Sequence, residues 1–466
     1  MRAAALLVLF ATVSAASAQE VRVRLFEGRA GSAATLSSPE AGVRVEVDGA
    51  WVAEAAPGER VRVERSGGRV RVEVGGERTS GERATLASEA PIRLRTGRYD
   101  RRYRGRLELS ARGGRLRVVN AVPMQPYVAS VVASEYPFTE IEGAKAQAVL
   151  ARTYALRHQG SKDGYDVEDS QRSQVYKGAG QATETTRRAA RETAGQVLMH
   201  GTEVVDAVYS SSNGGHSASN EHVWHTDPVP YLRGRPDPYD RDAPDHRWSA
   251  TVSASGVHAA LSRYARGTTA VRVTRRAPSG HATEITLSPS GRRITGGQFR
   301  AAVNASLGWR TVKSTNLEIS RSGSRYRLSG RGFGHGVGMS QYGARGQARA
   351  GHSYTEILAF YFEGTHLVGA IGEAMPHSPL AARPDGLRRM PTRRAVAWGL
   401  EPDTSRVQPV PPSVAAPRPT PEADYRPVRV VRDPLPNGDR VRSRPTRRAD
   451  ARAEAARDST SRRRGW

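Results

Sequence analysis

Across residues 21–120 apolar and charged residues alternate, and near Pro123 this two-residue period gives way to a helical one; no other feature of the sequence narrows the possible folds as far. Bursts such as Val21-Arg22-Val23-Arg24-Leu25 and Val61-Arg62-Val63-Glu64, with glycine turns between them, put apolar side chains on one face of an extended chain, because successive strand residues point to opposite sides. They read as half-buried strands. Over residues 123–159 the spacing changes, and Val128, Val131, Val132 and Glu135 fall on one helical face. A second helix is expected to follow, its start marked by Pro137 and by Thr139 with Glu142 three residues on, the spacing of a capping box. Ala144, Ala148, Ala151 and Ala155 run down it, and such small residues let another element approach closely, so the helix reads as buried. Further on, helices are expected at 183–193, 340–350 and 354–362. Strands are expected at 196–199, 204–209, 271–274, 284–287 and 326–328. The mixed order predicts an α+β fold rather than a regular βαβ repeat: a β-rich N-terminal part over 19–120, then a mixed helix and strand core over 121–370.

The 466 residues suggest two or three units. The apolar run at 3–13 follows Arg2 and ends at Ala16-Ser17-Ala18, the pattern of a secretory signal peptide over 1–18 cleaved before Gln19, with a short buried helix as the alternative. The run falls short of a membrane span, which needs about 20 residues, and no transmembrane segment is expected. Export to the periplasm or cell wall follows. With no cysteine there is no disulfide framework and no acylated-cysteine anchor. The net charge of +25 suits an anionic partner such as nucleic acid, wall polymer or lipid headgroups. Most basic residues are arginines spread over every region, no aromatic-interleaved basic motif accompanies them, and a signal peptide removes the chain from the cytosol, so no nucleic acid is expected. From about residue 371 to 466 the chain turns rich in proline and arginine and poor in large apolar residues, the composition of a disordered basic tail.

Three clusters carry possible chemistry. Glu135 closes the apolar face of the first helix, where partial loss of solvent would raise its pKa and keep it able to protonate a leaving oxygen; the alternative is a helix-end glutamate facing water. On the alanine-rich helix after it, Lys145, Gln147, Arg152 and Tyr154 are either a solvated face or donors to a polar ligand. The second cluster is 209–216, where Ser210, Ser211 and Ser212 stand beside Gly214 and Gly215. It lacks the Gly-x-Ser-x-Gly elbow of a serine hydrolase and suits hydrogen bonding to sugar or backbone. The third is 330–343, with glycine at every second position around His335 and with Gln341 and Tyr342 near its end. It has neither a P-loop ending nor dinucleotide-fold spacing. It reads as an extended segment stripped of side chains on one side, open to close approach by a ligand or another backbone.

Together Glu135-Tyr136-Pro137, Lys145-Ala146-Gln147-Ala148-Val149, Ala151-Arg152-Thr153-Tyr154, Ser173-Gln174-Val175-Tyr176, the serine-glycine cluster and Gly334-His335-Gly336-Val337-Gly338-Met339-Ser340-Gln341-Tyr342-Gly343 resemble the SpoIID/LytB family, named for stage II sporulation protein D. The resemblance covers about residues 20–370. It implies a lytic transglycosylase that cleaves the bond between N-acetylmuramic acid (MurNAc) and N-acetylglucosamine (GlcNAc) in peptidoglycan, leaving a 1,6-anhydro end. Glu135 would be its catalytic acid and base. It also implies substrate-binding roles for Lys145, Gln147, Arg152, Tyr154, Ser210, Ser211, Ser212, Gly214, Gly215, His335, Gln341 and Tyr342. The partners implied are peptidoglycan glycan strands, with anionic wall polymers or another wall hydrolase beside them. The LytB branch implies the alternative of a non-catalytic wall-binding or amidase-activating protein. The sequence departs from the family in having Tyr136 in the place of a methionine, which would set a hydroxyl beside the acid, and Gln125 where many relatives are acidic. It also lacks the histidine and cysteine cluster by which some relatives hold zinc; His216, His222 and His225 are a weakly spaced substitute. No cofactor or metal ligand is therefore expected.

Overall fold

The computed structural model describes residues 19–160 and 162–369 and the backbone of 373–374. The expected signal peptide, and the tail apart from 373–374, lie outside the described residues. The fold is α+β, with a β-rich N-terminal part followed by mixed helices and strands.

The alternating segment forms two sheets that share one core. One has the order Glu20–Leu25, Arg115–Pro123, Arg106–Arg112, Arg83–Ala87, Val43–Val47 and Ala50–Ala55, with Val167–Glu168 added in parallel beside its first strand. The other runs Tyr99–Tyr103, Ile92–Thr96, Ala33–Ser37, Val61–Ser66, Arg69–Val74 and Glu77–Gly81. Val61 and Val63 are buried while Arg62 between them is exposed, and Leu36, Val45, Val63, Val72, Leu86 and Leu107 from both sheets meet in one cluster.

The strand Arg115–Pro123 runs directly into helix α1 (Met124–Glu135). Tyr127, Val128, Val131 and Val132 are buried along it. It stops at Glu135 because Pro137 has no amide hydrogen to extend the ladder, and Tyr136 N–H makes the last bond to the Val132 carbonyl at 2.8 Å. Helix α2 (Ile141–Arg157) buries Ala144, Ala148, Ala151 and Ala155 as the spacing requires. The expected capping box does not form. Glu140 is the N-cap and its side chain makes no capping bond, accepting instead from Arg345 and Arg349; Glu142 accepts from Lys145 Nζ and from Tyr354 N–H, both at 2.8 Å. Around α2 pack α1, α3 (Glu184–Glu192), and, after α4 (Asn220–Trp224), α5 (Ala254–Leu261) and α6 (Gly296–Leu307) in chain order, the last pair α7 (Gln341–Arg349) and α8 (Tyr354–Tyr361). The 204–209 stretch is not one strand: Glu203–Val204 turns back on Val197–His200, and Tyr209–Ser210 pairs in parallel with Met339–Ser340.

Residues 248–330 build a second hydrophobic cluster, with Phe299, Ile285, Leu287, Tyr326 and Leu328 at its centre. It contains α5, α6 and two three-stranded sheets, and its first and last strands are antiparallel neighbours with Trp248 opposite Gly330. The chain thus leaves the first core and returns to it at one place. Sequence periodicity located the strands Ala270–Arg276, Ala282–Ser288 and Arg325–Gly330 and missed Trp248–Ser253, Arg292–Ile294 and Leu317–Ser322; nor did it show a separate cluster, since a cluster boundary depends on which faces meet.

Candidate functional site

Glu135 sits where α1 gives way to the turn into α2, and its carboxylate is held from two sides. Val175 N–H donates to Oε1 at 2.7 Å, and Gln341 Nε2 donates to Oε2 at 3.5 Å. The amide of Val175 is fixed because its neighbours are tied down: Tyr127 Oη donates to Gln174 Oε1 at 2.7 Å, Gln174 Nε2 donates to Tyr209 Oη at 3.0 Å, and Tyr176 Oη donates to Asn120 Oδ1 at 2.7 Å. Burial raises the pKa of Glu135 above that of an ordinary glutamate, and the Val175 amide, Gln341 and the charge of Lys177 act against it without cancelling it.

This carboxylate faces a cleft of about 680 Å³. Tyr154, Ser210, Ser211, His335, Gln341 and Tyr342 line it with Glu135, and Glu135 is the one acidic residue among the described residues lining it. The Ser210 hydroxyl oxygen accepts from Gly336 N–H at 3.2 Å. Val337 N–H donates to His335 Nδ1 at 3.1 Å, which leaves the proton of the neutral ring on Nε2. Burial pulls the His335 pKa down to about 4, helped by the charge of Arg300 and opposed by a backbone bond to Tyr209, so the ring is neutral at pH 7.

The other residues expected to bind substrate stand off the cleft. Lys145 pairs with Glu142 and Glu192 at 2.8 and 2.7 Å. Gln147 is fully buried within the helical layer. Arg152, 2% exposed, donates from Nη1 to the Gln196 carbonyl at 3.0 Å and from Nη2 to Gln125 Oε1 at 3.2 Å. It therefore ties α2 to α1 and to the segment after α3, with Gln125 as its acceptor on α1. Ser212 and Gly214 serve a buried hub at Asp240, which accepts from Ser212 Oγ at 2.6 Å, Gly214 N–H at 2.9 Å and Ser340 Oγ at 2.5 Å. Gly215 N–H turns back to Asn213 Oδ1 at 2.9 Å. The Tyr136 hydroxyl lies over Gly143 of α2, not beside the acid. His216, His222 and His225 do not converge: no group of three or more His, Cys, Asp or Glu is placed to hold a metal ion among the described residues.

The glycine-rich segment is not plainly extended. Gly332, Gly334, Gly336 and Gly338 all take positive φ, a region open to glycine and costly for other residues. At Gly334 (φ 117°) a Cβ would also collide with Ser210. The segment laces into the serine-glycine cluster through Ser212 opposite Phe333 and Ala218 beside Val337. Asp237 and Asp240, which hold this lacing together, were missed in the sequence, although Pro236-Asp237-Pro238-Tyr239-Asp240 is a turn with two acids in it. Asp237 accepts from Tyr361 Oη at 2.6 Å and Asn213 Nδ2 at 2.7 Å. Missed as well was the wall supplied by the second cluster, which includes Arg300, Asn304 and Trp309.

A two-sheet N-terminal core, a buried alanine-rich helix and a polar cleft around one desolvated acid define a β-rich α+β protein with a single-carboxylate groove. Residues 112–200 match the family model described as Stage II sporulation protein, SpoIID, and residues 235–338 match a domain of unknown function, DUF8618. Stage II sporulation protein D of Bacillus subtilis (strain 168) is 32% identical over 268 residues, which cover 53% of this chain and 75% of the relative. An uncharacterized protein of Brachyspira hyodysenteriae (strain ATCC 49526 / WA1) is 32% identical over 258 residues, 54% of this chain and 68% of the relative. The amidase enhancer of Bacillus subtilis (strain 168) is 30% identical over 287 residues, 51% of this chain and 39% of the relative. The chain belongs to the SpoIID family.

Proposed function

We propose that this protein is an exported peptidoglycan lytic transglycosylase with Glu135 as general acid and then base. The observation that carries the reading is a lone, desolvated carboxylate in a polar cleft. Protonated Glu135 gives its proton to the glycosidic oxygen as the bond from MurNAc C1 to that oxygen breaks, releasing a GlcNAc hydroxyl. The carboxylate then takes the proton of the MurNAc 6-hydroxyl as its oxygen bonds to C1, closing the 1,6-anhydro ring and restoring the acid. Water is not a reactant, so no second carboxylate is required to activate it, in contrast with hydrolytic glycosidases. Val175 and Gln341 orient the carboxyl for both transfers, and Ser210, Ser211, Tyr154 and Tyr342 are the proposed glycan contacts. Lys145, Gln147, Arg152, Ser212, Gly214 and Gly215 act behind them by fixing the helices and the laced segments. Among the described residues no helix is long and apolar enough to cross a membrane, a finding that says nothing of β-barrels.

Glu135→Gln is expected to fold as the parent does and to lose release of anhydro-ended fragments by about a hundredfold or more, as read by mass spectrometry of digested glycan. Equal release from both proteins would refute the assignment. A second reading, a cell-wall role without cleavage, is favoured by the match to the amidase enhancer. It is supported instead if the parent releases no fragments yet speeds a wall amidase.

A further inference from the structure

The cleft wall opposite the first core carries a feature that acid catalysis leaves unused. Trp309 is 57% exposed, unusual for so large an apolar side chain, and it lines the same cleft as Glu135. The loop that holds it out is tied at every step. Val312 N–H donates to Asn304 Oδ1 at 2.8 Å, and Asn304 Nδ2 and Arg300 Nε both donate to the Val312 carbonyl, at 3.0 and 3.2 Å. Thr311 Oγ1 donates to the Leu307 carbonyl at 2.9 Å, and Arg310 and Lys313 both pair with Asp245. Such a loop loses little entropy when a ligand lands on it. The Arg310 guanidinium lies 5.2 Å from the Trp309 ring centre and 5.0 Å from that of Phe333, whose ring is 6.1 Å from Trp309 at 36°. Arg310 thus bridges two mutually tilted rings, and both rings line a cleft that also presents Ser210, Ser211, Gln341 and Tyr342.

We propose that Trp309, with Arg310 and Phe333 beside it, is a stacking subsite for the pyranose ring of an N-acetylhexosamine in the bound glycan. The inference rests on the glycan-cleft reading given above. A pyranose presents a face of C–H bonds that packs on an indole, while its hydroxyls and acetamido group at the ring edge need hydrogen-bonding walls. A lipid or protein partner would call for a broad apolar patch; here the exposed indole shares its cleft with Ser210, Ser211, Asn304 and Gln341. Among the described residues the other exposed tryptophans differ: Trp51, 62% exposed, belongs to the N-terminal strand Ala50–Ala55 and lies outside the cleft lining, and Trp224 packs against His335 at 5.3 Å between centres. The subsite assigns a task to the DUF8618-matching residues, holding sugar at a set distance from an acid on the first core.

The test uses the full chain carrying Glu135→Gln, so that ligand is bound and not consumed, with a hexamer of N-acetylglucosamine and purified glycan strands as probes in titration calorimetry. Adding Trp309→Ala is expected to weaken binding about tenfold, Trp309→Phe to stay within about threefold, and Trp51→Ala to change nothing. Shielding of a tryptophan from acrylamide quenching by glycan, present in the Glu135→Gln chain and lost with Trp309→Phe, is a readout that does not depend on how the alanine variant folds. Undiminished binding by the Trp309→Ala chain, or no shielding despite binding, overturns the subsite alone. Failure of the Glu135→Gln chain to bind any glycan overturns the cleft reading and the subsite with it.

Discussion

At the scale of single residues, the site depends on Glu135 being kept from water while accepting one firm hydrogen bond. Burial favours the neutral acid and the Val175 amide favours the carboxylate, and burial wins. The proposed cycle starts from the protonated form. The pH profile of kcat/KM should therefore fall on its alkaline side as pH rises through the raised pKa, at higher pH than an ordinary glutamate would give. Stability carries the same sign. A carboxyl whose folded-state pKa is raised binds more protons folded than unfolded between the two values, so stability drops as pH climbs through that window. Thermal melts should show Glu135→Gln melting higher than the parent at neutral pH, by a few degrees at most, with the gain vanishing below the unfolded-state pKa. A gain that grew towards acid would contradict the account. The burial of Glu135 was legible in the sequence because a helix stop and an apolar face coincide there, whereas its proposed role as the acid came from the family resemblance. The roles of Lys145 and Arg152 were not, because a long polar side chain on a helix looks the same in sequence whether it meets a ligand, a glutamate or a carbonyl.

At the scale of elements, helix packing explains why the Tyr136 hydroxyl lies against α2 and not, as the sequence led us to expect, beside the acid. That side chain is fully buried, its hydroxyl has no hydrogen-bond partner among the described residues, and it rests on the bare backbone of Gly143 in α2. A Cβ at residue 143 would collide with the hydroxyl. Gly143→Ala is thus expected to destabilise the fold by about 1–3 kcal/mol in denaturant titrations, despite the better helix propensity of alanine. Tyr136→Phe removes an unpaired polar atom and should be neutral or stabilising by up to about 1 kcal/mol. The double variant should recover much of the glycine loss; simple addition of the two effects would refute the proposed contact. The alternation at 21–120 and the alanine spacing of α2 foretold these elements well, since each periodicity states which face is covered. The capping box at Thr139 failed because Glu142 had better partners in Lys145 and Tyr354, one of them more than two hundred residues away. The glycine segment failed as a strand for a related reason: its conformation is imposed by Ser210 and the Asp240 hub, which no local pattern records.

At the scale of the whole molecule, the described chain has two hydrophobic clusters, and the cleft at Glu135 takes lining residues from the regions of both. Because Trp248 and Gly330 are paired neighbours, residues 249–329 can be replaced by a short glycine-serine linker without stretching the chain. The shortened protein is expected to retain a cooperative near-ultraviolet dichroism melt from the first cluster. It should lose about 1–3 kcal/mol with the bonds from Gly334 N–H to the Lys313 carbonyl and from Arg331 N–H to the Asn316 carbonyl. Loss of all cooperative structure would show that the clusters do not fold separately. That both clusters existed was unreadable from periodicity, which reports buried faces but not which faces share a core. The strand pair at Trp248 and Gly330 also bears on descent. Substitutions, insertions or wholesale exchange within the excursion can reshape what the groove grips while leaving untouched the amide and glutamine that hold the acid. On the proposed function, a lineage can thereby change its taste for wall material at one tempo and keep its chemistry at another.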